Sequence, residues 1–226
     1  GEGQSYESFT WIAEASTFGA INTSQSFGEG NPDPDPDPEP VSGLLFINEI
    51  HYDNASTDSN EGIEVAGTAG LDLSGWTLIL YNGNGGTAYN TVNLSGTLPE
   101  QQAGFGTAFF AISGLQNGSP DGVALADPDN NLIQFLSYEG SFTAIGGAAD
   151  GIQSEDIGVE ETSSTAIGLS LQLEGAGSSY EDFSWAEVTT STYDLVNVNQ
   201  TFESPVQHVF INEIHYDNVG GDVGEG

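Results

Sequence analysis

The chain has 226 residues, 34 Asp and Glu, no Lys or Arg, and a formal charge of −34. Nothing in it can neutralise phosphate or lie on an anionic bilayer, which excludes a nucleic-acid surface, a polybasic membrane patch and any phosphoryl transfer that relies on a lysine. Cys and Met are absent while Gly reaches 31 and aromatics 10%, the composition of a folded, glycine-rich acidic protein without disulfides or thiolate metal sites.

Taken from the start, Ser5-Tyr6-Glu7-Ser8-Phe9-Thr10-Trp11 returns near the other end as Ser179-Tyr180-Glu181-Asp182-Phe183-Ser184-Trp185. Gln25-Ser26-Phe27 returns as Gln200-Thr201-Phe202, in a register shifted by a single position. Residues 28–43 carry the run Asn31-Pro32-Asp33-Pro34-Asp35-Pro36-Asp37-Pro38-Glu39-Pro40. Alternating Pro favours polyproline II and like charges extend it, so this is a stiff acidic spacer. Strand patterns follow over residues 44–51, 62–66, 76–81, 89–94, 105–112, 123–125, 132–138 and 169–173. Turn signals such as Asn82-Gly83, Asn84-Gly85-Gly86, Asn117-Gly118 and Asp150-Gly151 separate them. No amphipathic helix longer than two turns is visible. Short strands with Gly/Asn turns predict an all-β sandwich.

Phe46-Ile47-Asn48-Glu49-Ile50-His51-Tyr52-Asp53-Asn54 then returns as Phe210-Ile211-Asn212-Glu213-Ile214-His215-Tyr216-Asp217-Asn218, and Asp58 and Glu61 match Asp222 and Glu225 in the same register. Self-similarity of this kind marks a repeat architecture. Residues 1–27 are read as the C-terminal piece of a preceding module, 44–203 as a complete module, 204–209 as a short linker and 210–226 as the N-terminal piece of a following module. The outer pieces are expected to supply strands to neighbouring modules.

Phe46-Ile47-Asn48-Glu49-Ile50, then Glu64, then Asp72-Leu73-Ser74-Gly75-Trp76-Thr77-Leu78 resembles the lamin-tail domain family in its bacterial extracellular, tandem-repeat form. The similar stretch covers most of residues 44–203. The resemblance implies an immunoglobulin-like β-sandwich repeated in tandem, a structural or binding role, and a place outside the cell or on its surface. It brings no catalytic residues, and no enzyme activity is expected.

Five carboxylates fall within sixteen positions around one predicted strand–loop–strand: Glu49, Asp53, Asp58, Glu61 and Glu64. With no base nearby to offset their repulsion, they are the expected ligands of a calcium ion, which takes six to eight oxygens; the alternative is a solvated acidic turn. Asp127-Pro128-Asp129-Asn130-Asn131 opens like a calcium loop but lacks the sixth-position Gly, and is read as a turn. Asp150, Glu155, Asp156, Glu160 and Glu161 form a weaker hard-cation candidate. His51 and its repeat His215 are read as structural, and Trp76 as core. The expected function is a structural repeat of an extracellular fibre, stalk or adhesin shaft, cation-stabilised, whose partners are copies of itself joined head-to-tail or laterally. The alternatives are a module array binding surface glycans or another partner, and a non-catalytic region of a secreted nuclease.

Overall fold

The computed structural model describes residues 43–204 and, outside them, the pairing of two short strands, β1 (Glu2–Gly3) and β2 (Ser26–Phe27). The chain divides into two units, residues 38–204 and residues 1–37 with 205–226. The acidic spacer up to residue 42, the linker from Pro205 onward and the 210–226 piece lie outside the described residues, as does most of the 1–27 piece.

The larger unit is all-β, with no α-helix among the described residues. Its strands are β3 (Leu45–His51), β4 (Gly62–Thr68), β5 (Thr77–Asn82), β6 (Thr87–Asn93), β7 (Phe105–Ala111), β8 (Asp121–Ala126), β9 (Leu132–Tyr138), β10 (Glu155–Asp156), β11 (Leu169–Gly177), β12 (Phe183–Thr190) and β13 (Gln200–Phe202). One sheet has the order β10-β9-β8-β5-β6. The other runs β12-β11-β3-β4-β7, with β13 added beside β11. Leu78, Leu80, Val123, Leu125 and Leu136 of the first sheet meet Leu45, Ile47, Ile50, Ile63, Val65 and Leu171 of the second in one buried core, consistent with a β-sandwich. Every strand expected from the alternation is present. Trp76 is buried in this core.

Two close approaches explain glycines within strands. A Cβ on Gly106 would sit 1.7 Å from the Pro99 carbonyl oxygen, and one on Gly67 would sit 2.1 Å from that of Leu44. Neither position accepts a side chain without moving backbone.

The feature that positions the candidate site is a β-bulge in β3. Ile47 pairs with Val65 and Glu49 with Glu64, so Asn48 is an extra residue. Strict alternation from Leu45 and Ile47 would aim Glu49 and His51 into the core. The extra residue reverses the phase: Ile50 and Tyr52 join Leu45 and Ile47 in the main core, and Glu49 and His51 go to the opposite face. The bulge also frees the Ile47 N–H, which donates to Gln134 Oε1 at 2.7 Å and ties the two sheets together.

That opposite face is covered by the chain from Tyr180 to Phe202. Its apolar part is Phe46, Ala66, Phe105, Leu173, Phe183 and Phe202, with Phe105 and Phe202 stacked at 5.0 Å. Its polar part holds the buried carboxylates.

Candidate functional site

Glu49 and Glu64 face each other across β3 and β4, and both are fully buried. Glu49 Oε1 accepts from Ser170 Oγ at 2.6 Å and from Thr192 N at 3.0 Å, and its Oε2 accepts from Thr192 Oγ1 at 2.9 Å. Glu64 Oε1 accepts from Asn48 Nδ2 at 3.0 Å, and its Oε2 accepts from Asp194 N at 2.6 Å. The two side chains therefore hold the 192–194 segment down on the sheet. Asn197 Nδ2 adds bonds to the carbonyls of Asn48 and Leu173, and Gln200 Nε2 donates to Asn48 Oδ1 at 2.7 Å. Burial pushes the Glu49 carboxyl up, opposed by the bonds from Ser170 and Thr192. It pushes Glu64 well above the usual carboxylate range, and the charge of Glu49 adds to that.

At the end of β3 lies a second buried cluster. His51 and Glu161 are each 1% exposed. His51 Nδ1 donates to Glu161 Oε1 at 2.7 Å, while Glu161 Oε2 accepts from the backbone N–H of Tyr52 at 2.6 Å and of Asp53 at 2.9 Å. His51 Nε2 lies 3.1 Å from the Ser59 carbonyl oxygen, which can only accept. Nε2 also lies 3.0 Å from Asn54 Nδ2, a donor, so a ring that donates from Nδ1 to Glu161 and accepts at Nε2 satisfies these contacts as well as a protonated one does. Burial alone would lower the His51 pKa, but the bond to Glu161, its charge and the Ser59 carbonyl outweigh it and raise the value. Among the described residues His51 is the one basic side chain. Tyr52 stacks on Tyr138 at 3.8 Å and accepts from Glu161 N at 2.8 Å through its hydroxyl.

The five expected calcium ligands fall in three places. Glu49 and Glu64 belong to the buried pair. Glu61 Oε2 accepts from Gly114 N at 2.7 Å. Asp53 and Asp58 remain together on the loop after β3: the Asp53 carboxyl is raised by burial, then by the charge of and contact with Asp58, and it also meets the Asn117 side chain. Ser56 and Asn60, with φ of 80° and 62°, turn this loop back on itself. Among the described residues no three His, Asp or Glu are grouped so as to hold a metal ion. Asp127 closes the turn expected of it, accepting from Asp129 N, Asn131 N and Asn131 Nδ2. The third acidic group is dispersed: Asp150 accepts from Gly146 N, Asp156 from Gly158 N, and Glu161 belongs to His51.

Beside the acidic loop opens a cavity of about 400 Å³, lined by Asn82, Asn84, Gln116, Asn117 and Asp121 among others. Asp121 shapes its floor by accepting from Gly83 N at 3.0 Å and Gly118 N at 2.7 Å. Gln116 Oε1 is buried without a partner. Amide side chains that both donate and accept suit a neutral, polyhydroxylated ligand better than an ion.

Sequence reasoning missed the Glu161–His51 pair, the cavity and the residues that bind the buried carboxylates. A signal for the last was present. In the register that relates Gln25 to Gln200, Thr17 matches Thr192 and Asn22 matches Asn197. The pairing of Glu2 with Ser26 and Gly3 with Phe27 is parallel, and the repeat maps it onto the parallel pairing of Ala176 with Thr201 and Gly177 with Phe202. Comparison with protein-family models, with curated proteins and with solved structures yields no match.

Proposed function

We propose that the chain is a structural repeat of an extracellular fibre, stalk or adhesin shaft, built from immunoglobulin-like, lamin-tail-like modules in tandem. One observation carries this reading: what the sequence repeats is scaffold. Asn48, Glu49 and His51 recur as Asn212, Glu213 and His215, and Thr192, Asn197, Gln200 and Phe202 recur as Thr17, Asn22, Gln25 and Phe27. In the complete module these residues fasten the covering segment and the first loop to the sheet. None of them lines an open site. Repetition of such bonds serves a shape made many times over. The test is light scattering across a salt series with electron microscopy of the same samples. Assembly is expected to strengthen with salt, because copies of like charge repel less when screened. A chain that stays monomeric at every ionic strength and forms no filaments would overturn the reading.

Cation stabilisation belongs to the same proposal and rests on Asp53 and Asp58, which stay together on the loop after β3, where Asp58 Oδ1 also accepts from Asn54 N at 3.3 Å. Calcium at a hundred times its dissociation constant should add about 2.7 kcal/mol of stability. Thermal melting with calcium and with chelator, at matched ionic strength, should show a higher midpoint with the metal, and Asp53→Asn should abolish the difference. Equal midpoints for the unaltered chain would remove calcium from the account.

A second reading, a glycan-binding array, is favoured by the amide-lined cavity. Glycan-array binding that is lost in Asn82→Ala would move the balance to it.

A further inference from the structure

The acids are unevenly spread. The chain as a whole carries 34 in 226 residues, yet the long stretch from Leu73 to Pro120 carries a single one, Glu100. This stretch supplies β5, β6 and β7, and so one outer edge of each sheet. The four edges differ in how open they are. β10 is two residues long and both are acidic. β12 carries Glu187. β7 is uncharged, but its outward groups are taken: Thr107 N donates to Gln101 Oε1, Phe109 N to Asp194 Oδ1, and the Phe105 carbonyl accepts from Gln101 N and Gln102 N. β6 is different. Its sequence Thr-Ala-Tyr-Asn-Thr-Val-Asn has no charge, and most of its residues are exposed. Among the described residues, other chain segments cover only its first end, where Ile145 N donates to the Gly86 carbonyl. Leu94 N donates to Trp76 O, so by alternation the N–H groups of Val92 and Asn90 point to β5 and those of Asn93 and Thr91 point away. Thr91 N donates at 2.8 Å to the side chain of its own neighbour Asn90, a local bond that an incoming strand must displace, whereas the β7 groups are held by residues from elsewhere in the fold.

We propose that β6 is a strand-addition edge whose occupant is the β6 of a second copy, paired antiparallel about Thr91. The inference rests on the reading of the chain as a self-associating structural module and names its lateral contact. The occupant is a copy because of charge. A basic partner would be drawn to the carboxylates and has nothing to meet here. A second chain of charge −34 can come close only where neither side presents an acid, and β6 against β6 does so. The pairing is self-complementary, as a two-fold interface requires: Thr91 faces Thr91 and Asn90 faces Val92, within the regular stretch that follows the bulge at Tyr89. Sheet proteins guard such an edge with charge, proline or a bulge; β6 has neither charge nor proline, and its bulge at Tyr89 leaves Asn90–Asn93 regular.

The experiment is sedimentation velocity of the full chain at low salt and at about 1 M salt, where the screening length is about 3 Å. The unaltered chain should double its mass at high salt. Thr91→Pro removes an outward N–H and no bond to β5, and should stay at monomer mass with its melting midpoint nearly unchanged. Thr91→Cys should give a disulfide-linked dimer at high salt, in a chain that has no other cysteine, whereas Ser163→Cys on an exposed loop should not. Association of Thr91→Pro equal to that of the unaltered chain, or equal cross-linking at both cysteine positions, would overturn the β6 edge and leave the fibre reading standing on another surface. A chain that never associates would overturn both.

Discussion

Replacing Glu161 by alanine is expected to lower stability by about 3–5 kcal/mol, the cost of removing one partner of a buried pair that is ionic when His51 is protonated. The carboxylate accepts from His51, Tyr52 N and Asp53 N at once, so its loss strands three donors in a place closed to water. For a unit of this size each kcal/mol moves the melting midpoint by about 2–4 °C. Glu161→Gln keeps one oxygen to accept from the two backbone groups but turns an amide N–H toward His51, and should lose less. His51→Gln should also fall short of Glu161→Ala, because it leaves the carboxylate with both backbone donors. Urea unfolding of the three variants would show the order. If Glu161→Ala unfolds within about 1 kcal/mol of the unaltered chain, close to the scale of ordinary surface changes, the cluster is not the anchor described above.

The second large effect is in pH. The chain should be more stable near pH 5 than near pH 8, the reverse of a protein undone by protonation of its carboxylates. Burial raises Glu49, Glu64, Asp53, Asp121 and Glu139 in the folded state. Between the ordinary carboxylate value and the raised one, the unfolded chain has lost a proton that the folded chain keeps. The unfolded state then binds fewer protons, so stability falls as pH rises through that window. His51 acts in the same direction by a different route. Its contribution is complete below its ordinary value of about 6.5 and is lost as pH climbs through the raised one. Each unit of displacement is worth about 1.4 kcal/mol. The lowered carboxyls, Asp72, Asp127 and Asp182, lie on the surface, and their bonds are lost only as pH falls through values below the ordinary one. Melting curves from about pH 4.5 to about pH 8 would test the slope, and Glu64→Gln should flatten it. A midpoint that climbs steadily to pH 8 would contradict the assignment.

Much of the fold was legible because strand patterns are local. Alternation and Gly/Asn turns gave β3 to β9 and β11, each within a few residues. The covering segment was not, because what makes β12 and β13 strands is the sheet beneath them: Trp185, Val188 and Val196 are only partly buried, and Gln200 is held by Asn48 from 152 residues away. The surroundings of the candidate site were hidden for a related reason. Glu49 and Glu64 are near Asp53 and Asp58 in sequence, but the bulge at Asn48 and the strand pairing send them to a closed face, where Ser170 and Thr192 meet Glu49 from 121 and 143 residues on. The spacing did carry a hint. Apolar residues at 45 and 47 and then at 50 and 52 skip one place, which is how a bulge reads in a one-dimensional pattern.

The two ends of the 44–203 sandwich leave by the same pole. β3 runs antiparallel to β11 and β13 runs parallel to it, and Phe202 pairs with Gly177 at the end of β11 beyond the pairing of Gln172 with Glu49. Leu45 and Phe202 therefore lie at one end of the sheet, while the loop after His51 and the turn after Ala111 lie at the other. A pull on residues 44 and 203 does not stretch the sandwich along its length. It peels β13 and β3 from β11 one bond at a time, so the module yields at low force unless the buried bonds of Thr192 and Asn197 stop the tear. In the tandem arrangement proposed above, such attachments would hold the acidic turn and the amide-lined cavity away from the line of tension.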